Sequence, residues 1–184
     1  MKVLIIPKDP TYNGYILKPL VERLLASVGK PNAQVQVLMN PRAQGYEMIK
    51  ALLPDVFERY RHFDLLLFLP DQDGRDRAAE FANLEEQAAA AGARLITCAA
   101  VQEVEAWLLA GHHDKLSENW PKVREDDALK ERFFEPFLNE YGDQGAGGGR
   151  ERLMREALRN FDGLLARCPE LRELQARLRE AAAA

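Results

Sequence analysis

Residues 64–77 read DLLLFLPDQDGRDR, and the fold follows from how this stretch changes character at Asp71. Its first half, residues 64–70, is an unbroken apolar run from Leu65 onward. It is far shorter than the ~20 residues a bilayer span needs, and it lacks the polar alternation of a half-exposed strand. Such a run predicts a strand covered on both faces and central in a parallel sheet. The second half is acidic and contains a glycine. Ligands of parallel α/β sheets gather at the C-terminal ends of the strands, so the break at Asp71 is the first place to look for chemistry.

Working outward, Lys2–Pro7 (KVLIIP) is a second near-continuous apolar run and predicts another covered strand. Leu17, Leu20, Val21, Leu24, Leu25 and Val28 then form the i, i+3, i+4, i+7 stripe of a helix packed on a sheet, closed by Gly29 and Pro31. Residues 33–39 (AQVQVLM) read as a strand with partial alternation. A further helical stripe runs from Ile49 to Tyr60, with Pro54 predicting a kink or a restart. Residues 78–91 predict an alanine-rich helix closed by Gly92. Residues 94–100 (RLITCAA) give a fourth strand, with Cys98 as a buried core thiol. Alternating strands and helices imply right-handed crossovers. The fold class is therefore α/β, with a mostly parallel four-stranded sheet, flanking helices and a helical C-terminal extension.

Beyond residue 100 the pattern turns helical. Residues 101–109 predict a short amphipathic helix. Residues 118–141 are charged and aromatic, and Trp120, Phe133, Phe134 and Phe137 suit either core or a dimer surface, core being the first reading. Residues 142–149 (GDQGAGGG) read as a mobile linker, and residues 150–184 as one or two arginine-rich helices split near Cys168 and Pro169. The division expected is an α/β core over residues 1–110 and a helical extension over 111–184 packed on it as a single compact unit.

Composition sets the class of partner. Of 184 residues, 47% are hydrophobic, enough apolar surface to exclude intrinsic disorder. Lys and Arg number 25 against 29 Asp and Glu, a formal net charge of −4. A whole-surface polyanion binder would be basic, so any nucleic-acid contact must be local or metal-assisted. Cys98 and Cys168 lack CxxC or Cys/His spacing, which excludes a disulfide framework and a zinc knuckle. The opening MKVLIIPKDP has too short an apolar run for a signal peptide, and a cytoplasmic protein is expected.

Acids sit at three strand ends: Asp9 after the first, Asp71 and Asp73 after the third, Glu103 and Glu105 after the fourth. In extended chain, residues i and i+2 point the same way, so Asp71 and Asp73 can reach one hard cation, Mg²⁺ or Mn²⁺. The same pattern also suits a solvated polar loop. Glu103 and Glu105 diverge if their segment is helical, leaving one of them as metal ligand or base; both also suit a helix N-terminus. Lys8 balances the acidic cluster, and Thr11 caps a turn or touches phosphate. His112 and His113 read as surface residues of a loop. Residues 142–149 follow no strand and carry no P-loop Lys-Ser/Thr pair, so they are not a nucleotide cradle. Arg152, Arg155 and Arg159 share one helical face, either gripping phosphate or pairing with Glu151 and Glu156 in solvent. Arg150 and Arg152, beside the glycines, are the phosphate candidates of this segment.

Taken in order, IIPKDPTYNGYILKPLVERLL, LLLFLPDQDGRDR, VQEVEAWLLAG, GGGRERLM and CPELRELQARL resemble the TOPRIM family of topoisomerases, primases and OLD-type nucleases. The resemblance is nearer to its small stand-alone bacterial members. It implies a Mg²⁺- or Mn²⁺-dependent, nuclease-like chemistry at phosphodiester bonds of nucleic acid, in phage defence with a partner ATPase. It also implies that Asp71, Asp73 and Glu103 hold the metal and that Asp9 or Glu105 acts as base. Lys8, Arg150 and Arg152 would contact phosphate. One departure matters: the family's first motif normally carries a glutamate where Lys8 stands. Either Asp9 substitutes, or the chain is a catalytically degenerate module that binds a partner protein or nucleic acid. A receiver-like phosphoryl-transfer domain, using Lys8 beside a reactive aspartate, is a third reading.

Overall fold

The computed structural model describes residues 1–39, 45–72 and 74–183. Strands β1 (Lys2–Pro7), β2 (Gln34–Val37), β3 (Leu65–Leu69) and β4 (Leu95–Thr97) form one sheet in the order β2-β1-β3-β4. Every pairing is parallel, with Val3 beside Val35 on one side and beside Leu65 on the other. All five residues of β3 are buried, as the unbroken apolar run predicts for an inner strand.

The two-residue period of the strands divides the core. Leu4, Ile6, Leu66 and Phe68 face helices α2 (Tyr46–Tyr60) and α3 (Ala78–Ala90), which contribute Ile49, Leu53, Phe57, Leu84 and Ala88. Pro54 sits on the exposed side of α2, and the helix runs through it without restarting. Val3, Ile5, Leu65, Leu67 and Leu69 face the other way, against the buried stripe of α1 (Asn13–Ser27).

That second face is larger, and the helical extension completes it. Helix α4 (Glu105–Ala110) is buried at every position, so it is a core helix rather than the amphipathic one expected. After α5 (Trp120–Arg124), one wide π turn over Lys130–Phe134 leads into α6 (Glu135–Tyr141). Phe133, Phe134 and Phe137 are core, as expected, and Trp120 packs against them partly buried. Residues 150–183 fold as α7 (Arg150–Ala157), α8 (Phe161–Arg167) and α9 (Pro169–Ala183), split at Cys168 as the sequence indicates. Helix α7 lies along α1, and α9 packs on α1 and α8.

Three further expectations change. The glycine segment is a packed loop: Gly147 lies so close to Tyr15 that a Cβ there would come within 2.5 Å of the ring. Gly147, Gly148 and Gly149 have φ of 64°, 66° and 86°, a left-handed path that side chains resist, which explains the glycine run without invoking a linker. His112 is buried, its Nε2 lying 2.9 Å from the Leu153 carbonyl. Cys98 is only half-buried, although burial of its sulfur still pushes the thiol pKa up. Among the described residues, no helix is long and apolar enough to cross a membrane.

Candidate functional site

Strand order places the site. From β1 the chain turns into α1 on one face, and from β3 it turns into α3 on the opposite face. Departing in opposite directions, the two neighbouring strands leave a crevice beyond their C-terminal ends, where ligands of open α/β sheets bind. Lys8 and Asp9 follow β1 into it, and Asp71 follows β3. Asp71 bridges to Ala100, and the Gln72 amide donates to the Ala100 carbonyl, which draws the segment after β4 alongside.

The result is a cavity of about 340 Å³ walled by Lys8, Asp9, Thr11, Tyr12, Asn13, Gly45, Asp71, Glu103, Glu105 and Lys130. Acids from three strand ends therefore share one space. Both Glu103 and Glu105 line it, contrary to the expected divergence, because α4 begins only at Glu105 and Glu103 stands in the turn before it. The Asp71 carboxylate fixes that turn: its Oδ1 accepts from the Val104 amide at 2.8 Å, supplying from another strand the cap that Val104 cannot. A carboxylate at a helix N-terminus also interacts favourably with the macrodipole.

Among the described residues, charge in the cavity is unbalanced, with four carboxylates facing two ammonium groups. Lys8 Nζ lies 3.1 Å from Asp71 Oδ2, and Lys130 Nζ lies 3.7 Å from Glu105 Oε1. Burial, followed by repulsion from Glu105 and Asp71, pushes the Glu103 carboxyl up to about 7. Burial and then Asp71 also raise Glu105, against the pull of Lys130 and Arg150. Glu103 Oε2 is buried without a hydrogen-bond partner. Asp9 turns one oxygen back to accept from the Thr11 amide at 2.7 Å, so Thr11 joins the turn through its backbone.

The remaining predicted residues divide. Arg150 stands behind the wall residue Tyr12, its guanidinium 4.5 Å from that ring and 5.3 Å from that of Phe134, with a bond to the Gly147 carbonyl at 2.7 Å. Its charge is felt at Glu105. Arg152 is not brought to the cavity; it bonds Asp143, Glu156 and the Tyr141 carbonyl on the surface. Arg155 pairs with Glu151 and Glu22. Asp73 lies outside the described residues. Among the described residues, no three His, Cys, Asp or Glu side chains are grouped closely enough to hold a metal ion by themselves.

Lys130 and the buried Asn13 are members of the site that motif reasoning missed. For Lys130 the one usable signal was that a buried glutamate in an apolar helix such as EAWLLA calls for a cation from elsewhere. A larger crevice, about 400 Å³, lies between α3 and α9, where Glu85 is already bonded to Arg177 and Thr97. Compared with known proteins, the chain matches no family model, no curated sequence and no solved structure.

Proposed function

We propose that this protein processes phosphodiester bonds of nucleic acid with Mg²⁺ or Mn²⁺, in the manner of a nuclease. The observation that carries the reading is the excess of carboxylates over ammonium groups among the described residues of the crevice between β1 and β3. The donor set fits a hard divalent cation: the groups are carboxylates, and Glu103 has a buried oxygen with no hydrogen-bond partner. Mg²⁺ commonly takes only one or two carboxylates and completes its shell with water and substrate phosphate, so Asp71 with Glu103 or Glu105 suffices. When bound, the ion supplies Lewis-acid polarisation of the phosphate and a more acidic water.

The chain's own groups do the rest. Asp71, anchored by the Val104 amide, would be the fixed ligand. Asp9, with one oxygen held by Thr11, has its other oxygen as the base toward an attacking water. Where Asp71 and Glu105 hold the ion, Glu103, with a carboxyl raised by burial, would be the group to return a proton to the leaving oxygen. Arg150, braced on Tyr12 and Phe134 behind the wall, adds positive charge that favours phosphate oxygens in the cavity. A partner ATPase and a place in phage defence follow from the sequence resemblance alone.

One observation favours a second reading, a catalytically degenerate binding module. Lys8, standing where the resemblance expects glutamate, pairs with Asp71 and so holds the cation position on that carboxylate. Incubation of labelled single- and double-stranded DNA and RNA with Mg²⁺ or Mn²⁺ separates the two. On the leading reading the wild type cleaves, and Asp71→Asn or Glu105→Gln lowers the rate by about 100-fold or more. On the second, the wild type binds without cutting and only Lys8→Glu cuts. Inactivity of both the wild type and Lys8→Glu, in folded protein, overturns the enzyme reading.

A further inference from the structure

We propose that a second cavity, beside the acidic one, is a phosphate-binding subsite built by Lys8, Arg75 and Arg77 that takes a phosphate group of a nucleic-acid chain. In naming nucleic acid, it rests on the function proposed above. The cavity holds about 500 Å³ between the loop after β3 and the first turn of α2, from Gly45 to Met48. It shares Lys8 and Gly45 with the acidic pocket, so the two spaces are neighbours with Lys8 in the common wall. Neither Arg75 nor Arg77 was singled out by motif, because both lie inside a segment read for its aspartates.

The walls of this space are cationic. Among the described residues Glu47 is its one carboxylate, and Lys50 Nζ already lies 3.3 Å from it. Arg77 is a fixed wall rather than a loose surface charge. Its side chain is only 6% exposed, its guanidinium stacks 3.5 Å from the Tyr46 ring centre, and its Nη1 lies 3.3 Å from Glu80 Oε2. Glu80 is held in turn by the Tyr46 hydroxyl and Lys50 Nζ, both at 2.6 Å. A stacked guanidinium keeps its plane, and a planar donor fork suits phosphate geometry. Arg75 is the exposed partner: among the described residues its guanidinium makes no hydrogen bond or ion pair. The start of α2 adds a favourable dipole end, since Gly45 brings no capping side chain of its own.

Acidic and basic cavities joined at Lys8 match a polyphosphodiester. One phosphate would sit with the cation over Asp71, and a neighbouring or terminal one with Arg75 and Arg77. This arrangement also gives Lys8 a use that a glutamate would not have.

The test is binding of a 3′-labelled single-stranded DNA dodecamer, with and without a 5′-phosphate, by anisotropy in EDTA over a range of salt. Arg75→Ala is expected to weaken binding about fivefold or more, and Arg75→Glu further. The slope of log K against log salt should fall by about 0.7 for the lost phosphate contact. Arg179→Ala, an equal charge change on the exposed side of α9, should change neither. A preference for the 5′-phosphate that Arg75→Ala abolishes assigns the subsite to a terminal monoester; equal loss with both strands assigns it to an internal diester. The subsite is overturned if the wild type does not bind, or if Arg75→Ala behaves as Arg179→Ala does. Metal-free binding that depends on Arg75, without metal-dependent cleavage, would keep the subsite and remove the enzymatic reading.

Discussion

At Glu103 the protein holds a carboxyl near 7 against an ordinary 4.5, through burial first and the charges of Glu105 and Asp71 second. A carboxyl raised in the folded state contributes stability that is fully present below about 4.5 and is lost as pH climbs through about 7. Glu103→Gln removes that loss. It should therefore be more stable than the wild type at pH 8, by about 1–2 kcal/mol after discounting for partial solvent contact, and no more stable at pH 4. Urea midpoints at the two pH values check this, and an equal difference at both would contradict it. Asp9, Asp71, Glu103 and Glu105 were legible in the sequence because each follows a strand signal, and strand ends of a parallel sheet converge. Lys130 was not, since it arrives from a turn distant in sequence that no periodicity ties to the sheet. Nor was the capping bond from Asp71 to Val104, which depends on how β3 and the segment after β4 lie side by side.

Strands and the first three helices were readable because covered strands and one-sided helices have distinct hydrophobic periods. Helix α4 was misjudged for the same reason: its two nearby glutamates imitate a polar face, yet one precedes the helix and the other is buried in the site. What encloses α4 is contact with α1, α7 and α8, none of which is written locally. Gly111, at the C-terminus of α4, shows how tight that enclosure is. Its φ of −76° suits any residue, but a Cβ there would lie 2.2 Å from the Ala157 Cβ and 2.6 Å from its Cα on α7. Backbone cannot yield as a flexible side chain does, so Gly111→Ala should cost about 1–3 kcal/mol by overpacking. At roughly 2–4 °C per kcal/mol for a chain of this size, thermal unfolding should begin several degrees lower. An unchanged melting temperature would mean that α4 and α7 do not approach as described. The glycine loop was misjudged similarly, since composition cannot distinguish a free linker from a path that only glycine can follow against Tyr15.

Across the whole molecule, a net charge of −4 coexists with two cavities of opposite character at the same end of one sheet. The sheet makes this possible: β1 and β3 are inner strands, and the helices leaving them go to opposite faces, so the crevice between is open to a ligand while both cores stay closed. The acidic cavity is assembled from the ends of β1 and β3, the start of α4 and the π turn before α6. A cation held there would tie the α/β core to its helical extension. The most direct measurement is therefore isothermal titration of Mg²⁺ into the folded protein at pH 7.5, alongside Asp71→Asn and Glu58→Gln, the latter altering an exposed carboxylate on α2. Saturable binding weakened about tenfold or more by Asp71→Asn, and unchanged in Glu58→Gln, is the predicted result. A folded wild type with no saturable heat, or an Asp71→Asn variant that binds as the wild type does, would contradict the assignment of this cavity as a metal site.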